Sequence, residues 1–199
     1  MMVIEETEIA QGVLPLEAFK AHLRLGTGFA DGTDQDAVLT GFLRAALAAI
    51  EARTGKALLA REFSAVYEAW RDEAGQELPL APISEILSVK LRNATDEAED
   101  IPAALYILQK DSQRPKLLPA GAMLPLIPKG SVAEVHFIAG YGPVWDDIPA
   151  DLRQAVLLLA AHYYEYRDET ALGSGCMPFG VSALIDRYRT VRLLGGGRV

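Results

Sequence analysis

Apolar residues recur at helical spacing in four segments of the chain. In the longest segment, residues 33–53, apolar side chains fall three or four positions apart, and Thr33 with Asp36 forms an acidic variant of a capping box. Gly55 then supplies a C-terminal stop. The other segments with this spacing are 14–23, 149–167 and 181–189. The pattern therefore predicts a helical bundle of about four helices.

The period of the pattern changes to two between residues 60 and 142. Ala133, Val135 and Phe137, for example, alternate with Glu134 and His136, as in a strand with one buried face. Turn-forming residues separate five such stretches, which are 63–69, 87–92, 105–109, 116–118 and 133–137. Short strands at this density are typical of a small antiparallel sheet or partial barrel.

Together these patterns predict an α+β fold in which a helical domain is interrupted by a small antiparallel β domain. The boundaries that we assign are 1–59 and 143–190 for the discontinuous helical domain, 60–142 for the inserted β domain and 191–199 for a flexible basic C-terminal tail. The 199 residues bury enough surface to fold without a metal, and the single cysteine, Cys176, cannot form an internal disulfide. No apolar run is long enough to span a bilayer, so we expect no membrane contact.

Charge is distributed unevenly along the chain. The net charge is −8, but residues 187–199 carry four arginines and no acid, and their +4 leaves −12 for residues 1–186. A basic segment on an acidic body is predicted to dock on another surface, and its apolar residues are Tyr188, Val191, Leu193 and Leu194. The acidic body argues against a protein that coats nucleic acid, but it suits a passage through which DNA slides.

The sequence offers no recognisable catalytic or metal-binding constellation. None of the three histidines pairs with a cysteine or another histidine at metal-ligand spacing, and Ser174 lacks the flanking glycines of a nucleophile elbow. We therefore predict that the protein is not an enzyme and needs no cofactor. The glycines around Ser174 favour a hinge instead, and the hinge residues that we assign are Gly173, Gly175 and Gly180.

Three tyrosines, Tyr163, Tyr164 and Tyr166, cluster near the end of the segment that starts at Pro149. One interpretation is that Tyr163 joins the core while the other two cap the sheet. The other is a contact between subunits, because tyrosine is enriched in interface cores. Burial of aromatic rings serves either role, so both interpretations stay open at this point.

Three stretches of the chain carry a family resemblance. The first is Leu16-Glu-Ala-Phe-Lys-Ala-His-Leu-Arg-Leu25 with the later helix end Ile50-Glu-Ala-Arg-Thr-Gly55. The second is Val135-His-Phe-Ile-Ala-Gly-Tyr-Gly142, and the third is Ile148-Pro-Ala-Asp-Leu-Arg-Gln-Ala-Val156 running into His162-Tyr-Tyr-Glu-Tyr-Arg167. In order and spacing, over most of residues 14–192, they resemble the head–tail connector (adaptor, or head-completion) proteins of long-tailed bacteriophages and gene transfer agents.

The resemblance implies a structural protein that is made in the bacterial cytoplasm and resides in the neck of a virion or phage-like particle. Connectors of this kind form a ring of twelve copies beneath the portal protein. The ring extends the DNA channel, receives the next neck or tail component (the stopper) and lets DNA pass without sequence-specific binding. The C-terminal segment would bind the portal, and the residues that this role falls on are Arg187, Tyr188, Arg189, Arg192, Leu193, Leu194 and Arg198.

Two other functional classes remain as alternatives at this stage. One is a β module that binds a small ligand or carbohydrate and is carried on a helical scaffold, with Trp70 and Trp145 as exposed contact residues. The other is an enzyme of unknown type. Removal of residues 187–199 would separate the first alternative from a connector, because a ligand-binding β module would keep its activity without them.

Overall fold

The structure is a computed structural model that describes residues 1–25, 33–167 and 177–189, with the side chains of Thr33 and Asp34 outside the description. The helices within these ranges are α1 Leu16–His22, α2 Thr33–Thr54, α3 Ala150–Glu165 and α4 Phe179–Ile185. The strands are β1 Met2–Glu5, β2 Arg61–Tyr67, β3 Gln76–Glu77, β4 Ile83–Arg92, β5 Ala98–Asp100, β6 Tyr106–Gln109, β7 Lys116–Pro119 and β8 Val132–Ala139. The predicted α+β class is confirmed, as are the four helices.

The four helices pack around one hydrophobic core. Helix α2 lies against α1 and α3, and α3 also contacts α4. The apolar stripe predicted for α2 is buried, and so is that of α3, because side chains three or four positions apart share one face of a helix. Proline precedes both α3 and α4, at Pro149 and Pro178, where its fixed φ suits a helix entry.

The larger sheet is antiparallel, with the strand order β1-β2-β8-β4-β5. Strand β8 lies at its centre, and Ala133, Val135 and Phe137 are buried as their alternation predicts. Phe137 pairs in register with Phe63 of β2, and their rings stack at 6.0 Å between centroids. The smaller sheet has the order β3-β7-β6 and shares a second hydrophobic core with the larger one.

All five predicted strands are present, as β2, β4, β6, β7 and β8, but three others were not predicted. Strands β3 and β5 have two and three residues, too few to show a period. Strand β1 is exposed on both faces, so it has no apolar–polar alternation to detect. In β4, register shifts against β8 break the predicted alternation of residues 87–92, and the apolar residue Leu87 is 43% exposed.

An ion-pair network joins the helices to the larger sheet. The buried guanidinium of Arg61 in β2 donates to both carboxylate oxygens of Glu51 in α2, at 3.0 and 2.8 Å, and to those of Glu5 at 2.7 and 3.2 Å. Burial alone would lower the pKa of Arg61, but the two carboxylates raise it above its ordinary value. The network therefore holds β1, β2 and α2 in a fixed arrangement.

No helix in the part of the chain that the structure describes is long and apolar enough to cross a membrane.

Candidate assembly site

The basic C-terminal segment, residues 187–199, begins at a turn that is fixed on the helical core, and we call this turn, Asp186–Tyr188, the root. Helix α4 continues into a 3-10 turn, Asp186–Tyr188, and the side chain of Tyr188 turns inward and is only 8% exposed. Its hydroxyl donates to Oδ1 of Asp151 in the first turn of α3, at 2.7 Å. The Nε of Arg187 lies 3.0 Å from Oδ2 of the same carboxylate. Two consecutive residues of the segment thus occupy both oxygens of one acid.

The electrostatics of this root favour the anchored arrangement. Burial raises the pKa of the Tyr188 hydroxyl, so it stays a neutral donor toward Asp151. The Arg187 guanidinium donates to the Tyr188 hydroxyl and lies 4.7 Å from the centre of the ring. This hydrogen bond, ahead of the charge of Asp151, raises the pKa of Arg187. The cation is therefore fixed at the surface beside the aromatic ring.

The strand end Gly140-Tyr141-Gly142 reaches the same root from the β side. Gly140 has φ 137°, and a Cβ there would overlap the backbone of Ala60, while a Cβ at Gly142 would overlap the side chain of Asp147. Both glycines let the chain after β8 pass closely by the segments that lead into β2 and α3. Between them Tyr141 packs on the helical core, and burial raises its pKa to about 12.

The cations next to Tyr188 remain at the surface. Arg187 and Arg189 are exposed, and Arg189 pairs with Asp186 at 3.2 Å. Phe179, at the start of α4, is 89% exposed and is the most exposed of the large apolar residues that the structure describes. The short stretch 179–189 therefore combines a buried anchor with an exposed aromatic ring and two exposed cations.

Several residues assigned from the sequence lie outside the described ranges. These are Arg192, Leu193, Leu194 and Arg198 of the basic segment, and Gly173 and Gly175 of the hinge. The third hinge glycine, Gly180, is the second residue of α4, and a Cβ there would meet nothing within 4 Å.

The three tyrosines at the end of α3 and just after it have different surroundings. Tyr163 is half-buried against the helical core, and burial raises its pKa. Tyr164 meets Phe42 of α2 edge-on at 6.1 Å between ring centroids. Tyr166, which follows the helix, is 42% exposed and lies 4.6 Å from the ring of His162. Tyr163 and Tyr164 therefore belong partly to the core, whereas Tyr166 is exposed.

The two tryptophans are not the exposed contact residues that a ligand-binding β module would need. Trp70 is half-buried, its indole Nε1 donates to the carbonyl of Pro125 at 2.7 Å, and its ring lies 5.6 Å from that of Tyr67. Trp145 is half-buried against the helical core. That expectation is wrong because both indoles serve packing. Within residues 1–25, 33–167 and 177–189, no group of three or more His, Cys, Asp or Glu could hold a metal.

Sequence reasoning missed the two residues that organise the root, Asp151 and Tyr141. Asp151 lies 37 positions from Tyr188 in the sequence. A side-chain bond over that separation leaves no periodic signal. The available clue was that Tyr141 and Asp151 belong to two of the stretches that carry the family resemblance.

Comparison with known proteins gives consistent matches among solved structures. No family model matches the chain, and no curated protein does. A chain in the neck of an empty gene transfer agent (GTA) particle, computed with C6 symmetry, is 49% identical with a TM-score of 0.89, over 98% of this chain and 99% of that one.

Two further structures match over the same shares, 98% of this chain and 99% of the other. One is a chain of the virion of a native GTA particle, at 48% identity and a TM-score of 0.86. The other is a chain in the neck of a native GTA particle computed with C12 symmetry, at 44% identity and a TM-score of 0.84. With nearly half of its residues identical over nearly its whole length, the chain belongs to the family of gene transfer agent neck proteins.

Proposed function

We propose that this protein is the head–tail connector of a gene transfer agent or related phage-like particle. Copies of it form a ring between the portal protein and the next neck component, and the ring extends the DNA channel. The observation that carries the proposal is the similarity, over 98% of the chain, to neck components whose particles were computed with C6 and C12 symmetry. Twelve copies in a closed ring are compatible with both symmetries.

The portal contact in this proposal is made by the basic segment from Arg187 onward. Its root supports that role: Tyr188 fixes the start of the segment on α3 through Asp151, while Arg187 and Arg189 stay exposed. The segment continues with Arg192, Leu193, Leu194 and Arg198, which add positive charge and apolar side chains for the portal contact. Each segment would bind the portal weakly, but the affinity of a whole ring would be much higher. Once one subunit is bound, the segments of its neighbours are held at a high effective concentration near their own portal sites.

DNA and neighbouring subunits are the other partners in the proposal. Residues 1–186 carry a net charge of −12, and acids that line a channel would repel the phosphates and leave the duplex free to move. Reversal of channel-lining acids to lysine is expected to slow DNA ejection from assembled particles. The exposed ring of Tyr166 is available for a subunit contact, and the half-buried Tyr163 and Tyr164 could extend it.

The experiment is a pull-down with the cognate portal protein. It compares the full chain, a chain ending at Arg189 and a chain ending at Asp186. We expect the full chain to bind, and the chain ending at Asp186 to lose binding. The chain ending at Arg189 keeps the anchored root, so it separates the contribution of Arg187 and Arg189 from that of residues 190–199.

A matched pair of charge reversals completes the test. The double variant Arg187→Glu with Arg189→Glu is expected to weaken portal binding. Arg53→Glu with Arg71→Glu reverses two exposed arginines elsewhere and should leave binding unchanged. Equal binding by all three chain lengths would move the portal contact away from the segment. Absence of binding by the full chain would contradict the connector function.

A further inference from the structure

Strand β1 is an apolar edge strand with no cover in the described structure. It pairs with β2 along one side only, and all four of its residues are exposed. Met2 is 56% exposed, and Val3 and Ile4 are also exposed large apolar residues. An exposed apolar edge strand can pair with a strand of another chain, and proteins usually prevent this with charged residues, proline or a covering loop.

The backbone of β1 shows which groups face the open edge. The Glu6 N–H donates to the carbonyl of Glu62 at 2.9 Å, so the backbone of Glu6 faces β2. In an antiparallel ladder the direction of the backbone N–H and C=O groups alternates from residue to residue. The backbone groups of Ile4 and Met2 therefore face β2 as well. Val3 and Glu5 direct their N–H and C=O groups to the open edge. A second strand could accept and donate hydrogen bonds there.

Strand β6 is a complementary edge on the other sheet. It is the outer strand of the order β3-β7-β6, and Ile107 at its middle is 55% exposed, with exposed Leu105 just before it. Ile107 lies opposite Leu118 of β7 in the register, which extends the apolar face of this small sheet. Edge groups and apolar side chains are thus available together at β6, as they are at β1.

The charges that flank the two edges are opposite. Residues 1–10 contain Glu5, Glu6 and Glu8 and no basic side chain, and Glu5 is paired with Arg61. The hairpin 106–119 contains three basic residues, Lys110, Arg114 and Lys116, against one acid, Asp111. Glu77 of β3 lies across from Lys116 and offsets part of this charge. The protein has a net charge of −8, so a hairpin with more basic than acidic residues stands out. Its positive charge is complementary to the acidic residues that flank β1.

We propose that β1 of one copy adds to the β6 edge of the next copy and forms a contact of the ring; this rests on the proposed ring function. Both strands run from apolar to charged residues along the chain. Parallel pairing therefore sets Met2–Ile4 beside Tyr106–Leu108, with Val3 opposite Ile107, and places Glu5 and Glu6 beside Gln109 and Lys110. The two patches differ, so the contact is heterologous and propagates around a ring.

The test is disulfide cross-linking in assembled particles. The chain carries Cys176→Ser with Val3→Cys and Ile107→Cys, and oxidised particles are separated without reductant. A heterologous contact gives a ladder that extends beyond dimers. Val3→Cys alone and Ile107→Cys alone should give none. The pair Val3→Cys with Leu87→Cys, which places the second thiol at an exposed site on β4, is the geometric control and should not cross-link.

The outcomes separate the contact from the ring function. Particles that contain the chain but yield no ladder, dimers from Val3→Cys alone, or a ladder from the Leu87→Cys pair would overturn the β1–β6 contact and leave the connector in place. Absence of the chain from particle necks would overturn both. In a second arm, Val3→Pro removes an edge-facing N–H, and we expect about tenfold less incorporation than for Val3→Thr, which keeps it. Equal incorporation would overturn the contact.

Discussion

Tyr188 and Asp151, 37 positions apart in the sequence, are joined by a hydrogen bond of 2.7 Å that fixes the last described turn of the chain on the first turn of α3. Asp151 is half-buried and Tyr188 is buried, so the bond is shielded from water. The arginines on either side of Tyr188 stay exposed. One buried contact therefore determines where a flanking pair of cations is presented.

Replacing Tyr188 by phenylalanine is expected to lower the free energy of unfolding by about 1 kcal/mol. The ring keeps its packing, but Oδ1 of Asp151 loses the hydroxyl donor and keeps only the backbone N–H of Leu152. Urea denaturation monitored by circular dichroism measures the change. Tyr166→Phe removes a hydroxyl from an exposed ring and is the control, with no change expected. Equal effects of the two variants would mean that the Tyr188 hydroxyl contributes no stability.

Asp151→Asn is expected to loosen the C-terminal root and to speed tryptic cleavage after Arg187 and Arg189 several-fold. The amide lacks the charge that holds Arg187 at 3.0 Å, and trypsin cuts only where the backbone opens locally. The matched control is Asp146→Asn, which removes the acid that pairs with Arg153 near the same end of α3. Mass spectrometry measures the rate of tryptic cleavage after Arg187 in each variant. Identical rates in Asp151→Asn and Asp146→Asn would contradict the anchoring role of Asp151.

Arg61→Leu is expected to cost about 3 kcal/mol of unfolding free energy, because it leaves the mostly buried carboxylate of Glu51 without its cation. The control is Arg92→Leu, which removes a more exposed cation from Glu134 and Asp96 and should cost clearly less unfolding free energy than Arg61→Leu. Chemical denaturation of both variants gives the comparison. A loss at Arg61 no larger than that at Arg92 would mean that the network does not hold the helices to the sheet.

Sequence reasoning predicted the elements with a strong period and missed those without one. The stripe of α2 and the alternation of β8 were predictable because one face of each meets a core. The exposure of Leu87 within the stretch 87–92 was not predictable, because the register shift in β4 depends on its pairing with β8, and pairing is a tertiary property. The hydrogen bond between Asp151 and Tyr188 was not predictable for the same reason, because it depends on how α3 and α4 pack together. The basic charge of the segment could be read from the sequence, but its buried anchor could not.

The pairing of Glu134 is expected to make stability depend on pH. Burial alone would raise the pKa of this carboxyl, but the hydrogen bond from Arg92 and the charge of His136 outweigh burial and hold the pKa below its ordinary value. A carboxyl with a lowered folded pKa stabilises the fold above its unfolded pKa and loses this contribution as the pH falls through the folded value. The difference in unfolding free energy between the natural chain and Glu134→Gln should therefore be full at pH 7 and shrink below about pH 4.5.

Urea denaturation at pH 7, 5 and 3.5 follows this difference for Glu134→Gln and for a control, Glu85→Gln, which alters an exposed carboxylate on the neighbouring β4. The control should differ little from the natural chain at any of these pH values. Because the Arg92 guanidinium supplies the hydrogen bond at 2.8 Å, Arg92→Leu should abolish most of the pH dependence seen at Glu134. A pH-independent difference for Glu134→Gln would mean that its contribution comes from packing rather than from charge.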